Sequence, residues 1–87
     1  MTLYSLISTQ PDLSALAAIC APTDAILLRQ DAVYLATRGD IIWPVQAVYA
    51  LQSDVQGRNI APVQDIDIIN DARWVELVAE AEQNILW

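Results

Sequence analysis

Two apolar runs along the chain close in the same way. Ala25-Ile26-Leu27-Leu28 gives way to Arg29-Gln30-Asp31, and Val48-Tyr49-Ala50-Leu51 gives way to Gln52-Ser53-Asp54. A short continuous apolar run fits a strand covered on both faces, as in a parallel sheet. A polar residue at its carboxyl end suits the start of the helix that a parallel connection requires. Strands are expected at 3–7, 24–29, 45–51 and 66–69.

The intervening segments read mostly as helices. Pro11 suits a first helical position, where its missing N–H costs nothing. Leu13, Leu16, Ala17 and Cys20 follow at i, i+3, i+4 and i+7, the stripe of an amphipathic helix that Pro22 stops. Asp31 is placed to cap a helix over 32–37, which Gly39 would end in the left-handed conformation. The β-branched content there leaves a hairpin return through 32–36 as the competing reading. In the connector 40–44, Ile41, Ile42 and Trp43 are expected to tuck against the body. Ser53 or Asp54 would cap a short helix ending near Gly57-Arg58-Asn59, and Pro62 punctuates the next loop. Asn70 or Asp71 would cap the last helix, with Trp74, Val78 and Ala81 on one face and Val75 alongside. The order predicts an α/β fold: a small three-layer sandwich around a mainly parallel four- to five-stranded sheet, with right-handed crossovers. With no internal repeat or linker, residues 1–87 are expected to form a single domain.

Composition narrows what such a domain can do. Of 87 residues, 55% are apolar, high for a chain expected to bury only about 60–65% of its unfolded surface. The excess suggests burial against another chain. Eleven acidic residues against four basic ones give a net charge of −7. That balance argues against direct contact with nucleic acid or an anionic membrane. No run approaches the roughly 20 residues of a membrane span, and no signal peptide is visible, so a cytoplasmic protein is expected. One cysteine rules out an intrachain disulfide and a cysteine-based zinc site. The absence of Lys and His removes the commonest general bases and Schiff-base nucleophiles. No cofactor is indicated.

Several blocks, in order, resemble the TusB/DsrH family of the DsrE-like superfamily. Leu27-Leu28-Arg29-Gln30-Asp31-Ala32-Val33 is similar to the family's Leu-rich strand ending Gln-Asp-Gly-Val. Val48-Tyr49-Ala50-Leu51 with Asp54 and Arg58 resembles its second block. Ile68-Ile69-Asn70-Asp71 leading to Trp74-Val75-Glu76-Leu77 resembles its last strand and helix, and Trp87 its closing aromatic. Two departures stand out. Ala32 replaces the usual Gly, so that turn must work without positive φ there. Gly57-Arg58-Asn59 replaces Ala-Arg-Gly, and Asn tolerates the left-handed region better than most residues, so the helix stop is expected to be kept. The resemblance implies a flavodoxin-like fold and assembly with C-type and D-type sister subunits into a heterohexamer of two trimers. It also implies a part in persulfide transfer, toward wobble 2-thiouridine in tRNA or, in a sister branch, in sulfur oxidation. In the tRNA-modifying complex the principal sulfur-carrying Cys lies on the D-type subunit.

Cys20 is the candidate for chemistry, since the DsrH branch carries a Cys in this region. A relay needs an accessible thiolate. Cys20 instead shares the apolar stripe and lies near a helix carboxyl end, where the dipole disfavours negative charge; a buried, inert thiol is the reading its neighbours favour. Asp31, Asp54 and Asp71 would stand beyond strand carboxyl ends, where open α/β sheets bind ligands or Mg²⁺; each is expected instead to cap the following helix. Arg29 and Gln30 could line a subunit contact or meet a ligand carbonyl. Arg58 could pair with a neighbour's acidic group or favour its helix end. Gln30, Asp31, Trp43, Arg58 and Trp87 are the interface candidates, with Ile85-Leu86-Trp87 packing on the body or on a sister subunit. Glu76 and Glu80 form a repulsive i,i+4 pair on an acidic last helix. Three functions follow: an accessory sulfurtransferase subunit, a direct persulfide carrier through Cys20, or a self-associating module without sulfur chemistry.

Overall fold

The computed structural model describes residues 1–63 and 65–87. Five strands form one all-parallel sheet: β1 (Thr2–Leu6), β2 (Ala25–Leu28), β3 (Ala47–Leu51), β4 (Asp67–Ile69) and β5 (Gln83–Leu86), in the order β4-β3-β2-β1-β5. The helices are α1 (Leu13–Ile19), α2 (Gln52–Gly57) and α3 (Asp71–Glu80), with a 3₁₀ helix at Gln30–Thr37. The first three steps, β1 to β4, march one way across the sheet. Connections of one hand then put their helices on one face, and the return from β4 to β5 puts α3 on the other.

Side-chain alternation matches this layering. Tyr4, Leu6, Ile26, Leu28, Val48 and Ala50 point to the larger core, with Leu16 of α1, Val33 and Leu35 of the 3₁₀ helix and Val55 of α2. Leu3, Ala25, Leu27 and Ile69 point to the smaller core, under Leu77 of α3. All four residues of β2 are buried, as a central strand covered on both faces requires. Total accessible surface is 5027 Å², close to the ~5,100 Å² expected of a compact monomer of this mass.

Several expected details are corrected. The segment after β2 is helical, not a hairpin return, but it is a 3₁₀ helix with no side-chain cap; Asp31 turns to Arg58 instead. Gly39 has no positive φ, and the left-handed residue of this segment is Gln30, at φ 51°. Asn59 takes φ 51° and keeps the expected turn after α2. No side chain caps α2, so neither Ser53 nor Asp54 does so, and Asp54 lies inside the helix. The caps that form are Asp12 on α1 and Asn70 on α3, accepting from the N–H groups of Ala15 and Arg73. Asp71 sits in the first turn of α3. On that helix Leu77 is the buried residue, whereas Trp74 is half-buried and Val75 and Val78 are exposed. Ile41 and Trp43 pack on the larger core, but Ile42 is 93% exposed. The apolar tail is strand β5, so it packs on the body of its own chain.

Candidate functional site

The carboxyl ends of β2 and β3 are neighbours, so their similar polar endings meet. Asp54 Oδ2 accepts the backbone N–H of Gln30 at 2.9 Å. Asp54 Oδ1 lies 3.4 Å from Nη1 of Arg58, one helical turn on. The same guanidinium donates through Nε (3.2 Å) and Nη2 (3.1 Å) to Asp31 Oδ1. Asp54 thus clamps Gln30 where the chain adopts its left-handed turn, and Arg58 ties that turn to the end of α2. Asp31 is exposed, so its pair with Arg58 is worth under about 1 kcal/mol. Its effect is positional: the pair fixes where Gln30 and Asp31 stand on the surface. Three interface candidates, Gln30, Asp31 and Arg58, are therefore brought together around Asp54. The acidic partner of Arg58 lies in its own chain.

Cys20 and the other two interface candidates, Trp43 and Trp87, stand apart from this cluster. Cys20 ends α1 and precedes β2, so it lies at the amino edge of the sheet. It is separated from the cluster by at least the length of β2, about 13 Å at ~3.3 Å per residue. It is half-buried, with Sγ 3.9 Å from the carbonyl oxygen of Pro44. Trp43 precedes β3 at the same edge and packs on the larger core. Trp87 follows β5 at the carboxyl edge. Its ring meets Tyr4 edge-on with centroids 6.3 Å apart, and its Nε1 donates to the carbonyl of Asp12 at 3.2 Å. Its backbone N–H donates to Ser5 O at 2.8 Å.

The chain turns to one face of the sheet after β3 and to the other after β4. The crevice between two such strand ends is where open α/β sheets receive ligands. Here it holds a cavity of about 310 Å³ lined by Gln52, Ser53, Gln56, Asn70, Asp71 and Ala72. The lining offers amide and hydroxyl groups with one carboxylate and no cation. Asp31, Asp54 and Asp71 do not converge: among the described residues no group of three or more His, Cys, Asp or Glu could hold a metal ion.

Two features lay beyond sequence reasoning. One is Asp54 as the clamp on Gln30, though the matching ends of the two strands were its visible signal. The other is Arg29, whose guanidinium stacks on Trp74 with its carbon 4.4 Å from the ring centroid; α3 crosses the sheet to bring them together, and no spacing in the sequence shows it.

A family model described as DsrH-like protein matches residues 8–84. The chain belongs to the DsrH-like family. Among curated proteins none matches it. The match runs from just after β1 into β5, so this DsrH-like chain carries the carboxyl-edge cluster and Cys20 inside the family region. No helix among the described residues is long and apolar enough to cross a membrane.

Proposed function

We propose that this DsrH-like chain is an accessory subunit of a sulfurtransferase complex, docking C-type and D-type sister subunits through which sulfur passes as a persulfide. The family match over residues 8–84 carries the reading. The geometry supports a docking role. The carboxyl edge presents an exposed, backbone-fixed Gln30-Asp31 turn held by Asp54 and Arg58. Such a pre-set surface lowers the ordering cost of association. Trp43 and Trp87, half-buried on the larger core, offer further contact area to a neighbour.

Sulfur transfer needs a thiolate that an incoming donor can reach. Cys20 is half-buried beside Pro44 at the carboxyl end of α1, and no Lys or His exists to assist it. In this reading the persulfide is carried on a sister chain, and the end acceptor is a tRNA wobble uridine or an intermediate of sulfur oxidation. With a net charge of −7 the chain meets tRNA only through its partners, and it works in the cytoplasm.

Coexpression with C-type and D-type sisters, followed by intact-mass measurement of the native assembly, tests the proposal. A defined hetero-oligomer is expected. A stable homo-oligomer indifferent to the sisters would point instead to a self-associating module. Cys20→Ser is expected to leave sulfur flow through the assembly unchanged; its loss, with a persulfide found on wild-type Cys20 by mass, would make this chain the carrier.

A further inference from the structure

The chain has four basic side chains, all arginine. Three of them hold carboxylates: Arg38 with Asp40 at 2.7 Å, Arg58 with Asp31 at 3.1 Å, and Arg73 with Glu80 at 3.2 Å. Among the described residues Arg29 pairs with no carboxylate, and its buried Nε has no hydrogen-bond partner. Trp74 covers the guanidinium face, which offsets only part of the lost hydration. A buried N–H donor left without an acceptor is costly, and the positive charge it belongs to attracts an anion.

Arg29 and Trp74 line a groove of about 310 Å³ on the α3 side of the sheet, together with Ser5, Val78, Asn84 and Leu86. None of the eleven acidic residues of the chain lines it. Its rim is apolar and open, with Val78 41% and Leu86 64% exposed. Among the described residues α3 is the helix on this face, and the ends of β1 and β5 give the groove half-buried Ser5 and exposed Leu86. A guanidinium stacked on an aromatic ring beside exposed apolar side chains is the composition of an interface hot spot.

We infer that this groove receives an acidic segment of a sister subunit: a carboxylate pairs with Arg29, and an adjoining apolar side chain lies on Val78 and Leu86. The inference rests on the docking function proposed above and adds the surface and the chemistry of its partner. The planar fork of Arg29 suits a carboxylate in two-point contact, which a lysine cannot reproduce.

The test compares coexpressed assemblies of wild-type chain with C-type and D-type sisters against Arg29→Glu, Arg29→Lys, Leu86→Asp and, as a control, Arg38→Glu. Arg29→Glu and Leu86→Asp are expected to weaken association at least tenfold, Arg29→Lys by less, and Arg38→Glu by under twofold. The Nε–H resonance of Arg29 is expected to move when wild-type chain binds its sisters. If Arg29→Glu does not fold, Leu86→Asp decides the matter, since that side chain is exposed on an edge strand. Wild-type affinity in a folded Arg29→Glu chain, or in Leu86→Asp, overturns the groove while leaving the docking function intact. Failure of the wild-type chain to assemble with sisters overturns both. An Arg29-dependent homodimer overturns the inference by showing a second copy in the groove.

Discussion

The carboxylate of Asp24 accepts backbone N–H groups from Ala21 at 2.8 Å and Thr2 at 2.9 Å, so it ties the start of β1 to the turn before β2. These two bonds, that of Ala21 foremost, hold its pKa below the usual carboxylate range. A depressed value means the ionised form is favoured in the folded state. The contribution is complete above about pH 4 and is lost as pH falls through the lower folded value. Asp24→Ala should cost about 2 kcal/mol at neutral pH, because two part-buried amides lose a charged acceptor. In urea unfolding, the gap between variant and wild type should narrow as pH drops below 4. Gln30 illustrates the opposite balance. Its φ of 51° costs a non-glycine residue about 1–2 kcal/mol. Gln30→Gly relieves that strain but frees the unfolded chain, for a net gain of about 0.5 kcal/mol. Asp54→Ala removes the clamp and should cost about 1–2 kcal/mol, readable in the same unfolding curves.

At the scale of elements, α3 shows how little of a surface helix anchors it. Leu77 is its one buried residue, set over Leu3, Leu27 and Ile69. Leu77→Ala should therefore cost about 2–4 kcal/mol. Asn70→Ala, which removes the cap on Arg73 N–H, should cost about 1 kcal/mol. Val75 is exposed, and Val75→Ala should stay within about 0.5 kcal/mol; thermal melts of the three variants test the ranking. The acidic pattern of this helix is milder than i,i+4 repulsion suggests. Arg73 lies 3.8 Å from Glu76 and 3.2 Å from Glu80, so one cation stands between the like charges. The 3₁₀ helix likewise differs from its expectation because its start is held by a tertiary bond, from Gln30 N–H to Asp54, rather than by a cap at Asp31.

At the scale of the molecule, β5 closes the fold. Its parallel ladder runs from Thr2–Gln83 to Ser5–Leu86, and Trp87 then packs on Tyr4 and bonds Asp12. Residues near the two ends of the chain therefore hold one another. Trp87→Ala should cost about 2 kcal/mol, less than for a fully buried Trp. A domain of this size loses roughly 4–8 °C in Tm per kcal/mol, so a fall of about 8–16 °C in a calorimetric scan is the expected result. The apolar excess noted from composition is partly absorbed by two cores on one sheet. What is left over includes Val78 and Leu86, which rim the groove beside Arg29.

The pattern of apolar runs determined β1 to β4, their parallel pairing and the sandwich class; the signature is continuous in β2, buried on both faces, and shorter in the edge strand β4, where Ile69 is the buried residue. Composition alone sets which side chains are available: one Cys and neither Lys nor His. The fifth strand was less legible: Gln83 and Asn84 are polar because an edge strand faces water there. Only the tertiary structure decided which side-chain oxygens cap helices and which reach across. Asp12 and Asn70 meet the N–H groups of their own helices, while Asp31 and Asp54 meet Arg58 and the backbone of Gln30. The difference lies in where neighbouring strands place the next donor, which depends on residues 24 to 27 positions away in the chain. Arg29 over Trp74 follows the same rule, for a crossover helix brings together two residues that nothing local in the sequence connects.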